Sequence, residues 1–260
     1  MTVLSPLFPR LAALLLVLVP AAATPQTPAR PPLLGVSVVA RFPHDPTAFT
    51  EGLIWHDGAL YESVGREGMS DVRRVRLADG KVEKRAKIPP AQFGEGLAAW
   101  GRELVSLTWH GGIAHRWDAK TLRPRGTSHF TSEGWGLTAD GKALIQSDGT
   151  ATLRFLDPAT LKTRRTLTVT LNGRPLDQIN ELEWVDGEIL ANVWHQPYLV
   201  RIDPRSGVVT AVIDLRPLVA AVKVADPEGV ANGIAWDPAK RRLFVTGKLW
   251  PTLFEIRLER

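Results

Sequence analysis

The side chains best suited to chemistry are two carboxylates, an amide, a lysine and a set of aromatics in glycine-rich or polar contexts. Glu95 lies between two glycines in Phe93-Gly94-Glu95-Gly96-Leu97. Small neighbours let backbone approach closely and leave that carboxylate open to a ligand. Glu51 takes the matching place in Phe49-Thr50-Glu51-Gly52-Leu53, and Asn180 does so in Asn180-Glu181-Leu182-Glu183-Trp184. Trp109, Trp135 and Trp194 sit beside polar residues or glycine, contexts that suit the lining of an apolar pocket. Lys248, in Thr246-Gly247-Lys248-Leu249-Trp250-Pro251, is flanked by apolar residues, and burying its ammonium is costly without a partner carboxylate. Plainer roles stay open. Glu95 can cap turn amides and tie repeats together, the tryptophans can pack between repeats, and the lysine can lie on the surface.

Other chemistries lack their motifs. The chain has no Gly-x-Ser-x-Gly, no His-Glu-x-x-His and no Gly-x-x-x-x-Gly-Lys. Its six histidines (His44, His56, His110, His115, His129, His195) show no recognisable ligand spacing. It has no cysteine, which removes disulfides and thiolate metal sites.

The elements that must position these residues are repeats. The signature holding Glu51, Glu95 and Asn180 recurs as Glu133-Gly134-Trp135-Gly136-Leu137 and Asn232-Gly233-Ile234-Ala235-Trp236. Taking Gly52, Gly96, Gly136, Glu181 and Gly233 as equivalent, the steps are 44, 40, 45 and 52 residues. Each signature is followed by a tight-turn signal, among them Asp57-Gly58, Asp140-Gly141 and Asp186-Gly187. A short apolar strand comes next, then a strand with period-2 alternation such as Thr152–Leu156 or Tyr198–Ile202, a second turn such as Asp157-Pro158 or Asp203-Pro204, and a fourth strand. Four strands per unit and five units predict an all-β fold, a five-bladed β-propeller. The fifth unit stops after Leu258 without a fourth strand, and the spare strand Gly35–Ala40 precedes the first signature. That N-terminal strand is expected to complete the last blade and close the ring, since an open edge would otherwise stay unpaired. Two insertions, residues 171–179 and 214–231, are expected to overhang one face and wall a pocket; the second carries a short helix, Leu218–Val222.

Arg10, the apolar run Leu11–Val19 and the small residues Ala21–Ala23 describe a cleavable secretory signal over residues 1–23. A proline-rich tether over 24–32 and a single propeller domain over 33–260 complete the expected organisation. The product is expected to be exported, periplasmic or secreted, and free of the membrane after cleavage. The formal net charge is +5, but the basic residues are scattered or paired and no basic run has interleaved aromatics. That pattern fits a solvated surface and not a nucleic-acid partner. No oligomer interface is legible, so a monomer is expected.

The segments FPHDPTAFTEGL, FGEGL, GWGLTADGK, QSDGT, NELEW, NGIAWD and VTGKLWPTLFEI resemble, in order and from about Val38 to Leu258, the plant and bacterial type of glutaminyl cyclase (glutaminyl-peptide cyclotransferase). The resemblance implies a five-bladed propeller working without catalytic zinc, with peptides or proteins bearing an N-terminal glutamine as partners and no cofactor; acidic or amide side chains near the axis could separately hold a structural ion in the channel. It makes Glu95 the catalytic acid/base and puts Phe49, Phe93, Trp109, Trp135, Trp194, Asn180 and Lys248 in or around the substrate pocket. One position departs: the family has glutamine where Glu51 stands. A carboxylate there still accepts a hydrogen bond from a substrate ammonium but loses an amide donor. Close to Glu95, it would raise one pKa of the pair.

The implied reaction closes an N-terminal glutamine to pyroglutamate and releases ammonia. Glu95 would carry the proton from amine to leaving nitrogen, with Lys248 and Asn180 holding the amide or its oxyanion. Two other readings stay open: a metal-dependent propeller hydrolase or lactonase, with Glu51, Asn180 and Asp226 as ligands, and a non-catalytic envelope binding module.

Overall fold

The computed structural model describes Thr2 and residues 30–259. Apart from Thr2, the expected signal segment 1–23 lies outside the described residues, as do residues 24–29 of the tether. Among the described residues no helix is long and apolar enough to cross a membrane.

The described residues are all-β except for one short helix. They open with β1 (Leu33–Pro43). A first antiparallel sheet runs β2 (Thr50–His56), β3 (Ala59–Val64), β4 (Asp71–Val75), β5 (Val82–Lys87). A second runs β6 (Gly94–Trp100), β7 (Glu103–Thr108), β8 (Ile113–Asp118), β9 (Pro124–His129). A third runs β10 (Leu137–Ala139), β11 (Leu144–Gln146), β12 (Thr152–Leu156), β13 (Thr163–Thr168). A small ribbon, β14 (Thr170–Leu171) with β15 (Arg174–Pro175), follows. The remaining strands are β16 (Ile179–Val185), β17 (Glu188–Val193), β18 (Tyr198–Ile202), β19 (Val209–Asp214), β20 (Ala231–Asp237), β21 (Arg242–Gly247) and β22 (Thr252–Glu259), with helix α1 (Arg216–Val222) after β19. With β1 they form one eight-stranded sheet in the order β16-β17-β18-β19-β1-β22-β21-β20. Strand pairing joins its two halves where Leu33 and Leu34 run parallel to Val212 and Ile213. Over the rest of its length β1 pairs antiparallel with β22, so the spare strand does complete the sheet of the last repeat.

The turn residues act as their chemistry demands. Asp57-Gly58 and Asp186-Gly187 have positive φ at both residues, the primed hairpin turn that matches the twist of flanking strands. Asp157 and Asp203 each accept two backbone N–H groups from the residues that follow, closing the second turn of their repeats.

The first strands β2, β6, β10, β16 and β20 are neighbours in that order, and β20 returns to β2. Apolar clusters fill each gap. Ile54, Tyr61 and Val72 meet Leu97, Leu104 and Trp117 between the first two sheets, and Leu53 and Leu60 meet Ala235 and Phe244 where the ends of the chain come together. The signature glycines set this spacing. A methyl group on Gly96 would lie 2.5 Å from the Leu137 nitrogen, and the Gly96 N–H donates to the Trp135 carbonyl at 2.7 Å. Where the fourth copy carries Glu181 instead, its buried carboxyl accepts the N–H of Leu53 at 3.2 Å and of Ile234 at 3.0 Å, bracing β16 against β2 and β20.

The pairing register slips within four signatures: between Thr50 and Gly52, Gly94 and Leu97, Ile179 and Leu182, and Ala231 and Ile234. A β-bulge re-aims side chains out of strict alternation. Here it frees Glu51, Glu95, Asn180 and Asn232 from the face their neighbours occupy.

Candidate active site

Glu51, Glu95, Trp135 and Asn180 each stand one residue before a glycine-equivalent position, and all four line one cavity of about 280 Å³. Phe49, Phe93, Trp109, Trp194 and Lys248 line it too, so every site residue read from the sequence is brought together. The fifth copy contributes at one remove. Asn232 Nδ2 donates to Glu51 Oε2 at 3.1 Å and to the Thr50 carbonyl at 2.9 Å.

The walls are aromatic. Phe49 meets Phe93 edge-on at 6.1 Å, Phe93 meets Trp109 at 5.7 Å, and Trp135 meets Trp194 at 5.6 Å, the tilted geometry that aromatic quadrupoles favour. Two indoles share an anchor: Glu133 Oε2 accepts both Trp109 Nε1–H and Trp135 Nε1–H at 2.9 Å. Behind Trp135, Gly149 has φ +78°, and a methyl there would reach within 2.7 Å of the indole.

The polar groups lie deeper. Lys248 Nζ is 2.8 Å from Glu51 Oε1 and 4.6 Å from the centre of the Phe49 ring. The lysine therefore has the partner carboxylate its burial requires. Glu95 is only 6% exposed, and among the described residues nothing hydrogen-bonds its carboxyl. Burial first, and the Glu51 charge second, hold the Glu95 carboxyl well above the usual carboxylate range, with Lys248 opposing. Burial also raises Glu51, against the pull of Lys248. Of the two carboxyls, Glu51 has the ammonium in contact, so Glu95 is the one that holds a proton more readily. Asn180 presents an amide whose Oδ1 is buried with no partner.

The ligand set of a metal-dependent hydrolase does not assemble. Glu51 is held by Lys248 and Asn232, while Asp226 does not line the cavity and pairs with Arg66 at 3.4 Å. Among the described residues no three His, Asp or Glu side chains converge as ligands.

The family model described as glutamine cyclotransferase matches residues 11–258. The chain belongs to the glutamine cyclotransferase family. It is 44% identical over 228 residues to the glutaminyl-peptide cyclotransferase of Arabidopsis thaliana, covering 86% of this chain and 71% of that one. It superposes on the crystal structure of Myxococcus xanthus glutaminyl cyclase with a TM-score of 0.85 at 38% identity, over 88% of this chain and 99% of that chain. The fold is thus the propeller-like one of that cyclase.

Two cavity residues of this cyclotransferase were not legible in the sequence, Arg66 and Glu228. Glu228 comes from the second insertion, which does overhang the site, and its helix starts two residues earlier than expected because Pro217 suits a first turn. Arg66 follows β3 directly in a turn and carries no pattern of its own. The first insertion departs from expectation. Residues 171–175 belong to the β14–β15 ribbon, and none of residues 171–179 lines the cavity, although the backbone of Gln178 ties Gly149 to Trp194.

Proposed function

We propose that this family member closes an N-terminal glutamine of a peptide or protein to pyroglutamate and releases ammonia, with Glu95 as general acid/base. Supporting this is the Glu95 carboxyl, buried in an aromatic cavity beside the Glu51–Lys248 ion pair and without a hydrogen bond among the described residues, where burial and the Glu51 charge push its pKa up. A carboxyl raised above the usual carboxylate range is a stronger base when ionised, and so takes up the amine proton more readily than an ordinary carboxylate.

The substrate holds its own nucleophile and electrophile, so folding the side chain into the attacking rotamer supplies much of the rate. The α-amine nitrogen bonds to the γ-carbonyl carbon, and Glu95 takes a proton from that nitrogen. The tetrahedral oxyanion meets the Asn180 amide, with the Lys248 ammonium adding positive charge close by. Glu95 then returns the proton to the leaving amide nitrogen, the carbon–nitrogen bond breaks and ammonia departs. The walls of Trp109, Trp135 and Trp194 keep water from competing and take the apolar stem of the glutamine. No step calls on a metal, and activity is expected to survive a chelator.

The test is an ammonia-coupled assay on a glutaminyl dipeptide. One ammonia per peptide supports the reading, whereas tight binding without ammonia release would favour a binding module.

We read the four sheets as five blades, the eight-stranded sheet being two blades joined at the short β1–β19 contact. A monomeric domain over 33–260, exported by residues 1–23, completes the picture. N-terminal sequencing of the mature protein should begin after Ala23.

A further inference from the structure

Arg66 and Glu228 form the open end of the cavity. Their side chains are 41% and 42% exposed, against 7% and 2% for Lys248 and Glu51 within. Arg66 has φ +82°, a left-handed backbone that costs any residue but glycine. That conformation lays its guanidinium 4.3 Å from the centre of the Phe49 ring. Its one polar side-chain contact among the described residues is to Asp226, at 3.4 Å. Most of its five donors are therefore free at the mouth. The Glu228 side chain, also at the mouth, has one polar contact among the described residues, to His195 Nε2 at 3.4 Å.

Resting on the cyclase reading, we infer that Arg66 is a specificity-determining residue, forming a subsite for the carbonyl or carboxylate group of the residue that follows the glutamine. The first residue of a bound peptide fills the aromatic cavity, so the next peptide unit must leave past Arg66 and Glu228. A peptide unit offers one acceptor and one donor, and the mouth offers a guanidinium and a carboxylate. A glutaminyl dipeptide ends in a carboxylate at this point, which a planar guanidinium can take in two parallel hydrogen bonds. The stacking on Phe49 holds the fork in place and lowers the entropy lost on binding. The subsite therefore favours short peptides whose carboxylate reaches the mouth.

Two probes decide it, a glutaminyl dipeptide with a free carboxylate and the same dipeptide as its C-terminal amide. Binding is read by quenching of tryptophan fluorescence, and turnover by ammonia release. The wild-type protein should bind the free acid roughly three- to tenfold more tightly at low salt, the size of a partly exposed charge-assisted contact. The ratio should fall toward one in high salt. Arg66→Gln should bring it close to one at low salt, and Arg66→Glu should invert it. Equal affinity for the two probes in the wild-type protein, or a ratio indifferent to both substitutions, overturns the subsite. Binding preference without ammonia release would keep the subsite and sink the cyclase reading. Ammonia release with no preference does the reverse, and failure to bind either probe overturns both.

Discussion

Glu51 Oε1 and Lys248 Nζ meet at 2.8 Å inside the cavity, with both side chains less than a tenth exposed. The pair explains how a glutamate can stand where the family resemblance leads one to expect glutamine. The extra negative charge is compensated locally by Lys248 and by the amide of Asn232. Its remaining effect falls on Glu95, whose pKa it helps to raise after burial.

Glu51→Gln should therefore fold, remain active and shift the acidic limb of the pH–rate profile to lower pH. The sign follows from the base role. Glu95 must be ionised to accept the amine proton, so activity rises as pH passes its pKa, and removing a like charge lowers that pKa. Steady-state rates across pH check this; an unmoved or alkaline-shifted limb would separate Glu51 from Glu95.

Lys248→Met should lose about 3–5 kcal/mol of stability, because it strands a buried carboxyl. Combining it with Glu51→Gln should recover part of the loss, since each single change breaks the same pair. Urea denaturation of the three variants measures the coupling, and simple additivity would contradict the geometry.

Glu133 positions the indoles of Trp109 and Trp135 through one oxygen. Glu133→Ala should raise KM several-fold more than it lowers kcat, because two pocket walls lose their common acceptor at about 1 kcal/mol each. Glu133→Gln keeps an acceptor and should stay closer to the wild type. Equal loss of kcat in both variants would point to a direct part in the chemistry instead.

The ring is closed partly by a buried pair. His44 Nε2 lies 2.9 Å from Glu62 Oε1, and its Nδ1 donates to the Trp250 carbonyl at 2.6 Å. Burial pushes the His44 pKa down, but the charge and hydrogen bond of Glu62 outweigh it and the net direction is up. Burial pushes the Glu62 carboxyl up, but His44, Arg73 and Thr50 together outweigh it and hold its pKa below the usual value. The His44 contribution to stability is whole below its unfolded pKa and fades as pH rises through the folded value. The Glu62 contribution is whole above its unfolded pKa and fades as pH falls through the folded value. His44→Ala should cost about 3–5 kcal/mol, most visibly between those limits and least at alkaline pH. Thermal melts from pH 4 to 9 test this; a deficit that grows above pH 8 would refute it.

Much of the site was legible because it is built on repeats. Glu51, Glu95, Trp135 and Asn180 precede equivalent signature positions, so aligning the copies was enough to group them. The strand pattern and the Asp-Gly turns likewise follow from local chemistry, since Asp57-Gly58 and Asp186-Gly187 select one hairpin turn. What stayed hidden depends on contacts distant in sequence. Arg66 reaches the mouth through a positive φ that no neighbour announces, and Glu133 matters only because two tryptophans in separate loops turn toward it. Residues 171–179 looked like a pocket wall by position alone. Part of the segment pairs as a ribbon and Gln178 braces the Trp135 and Trp194 walls through its backbone, but none of these residues lines the cavity.

Glu95→Gln removes the proposed proton carrier while keeping its shape. The amide matches the carboxyl in shape and loses no hydrogen bond seen among the described residues, so the variant should fold and melt like the wild type. In the ammonia-coupled assay on a glutaminyl dipeptide its kcat should fall by about 10²–10⁴. Turnover close to that of the wild type would contradict the account.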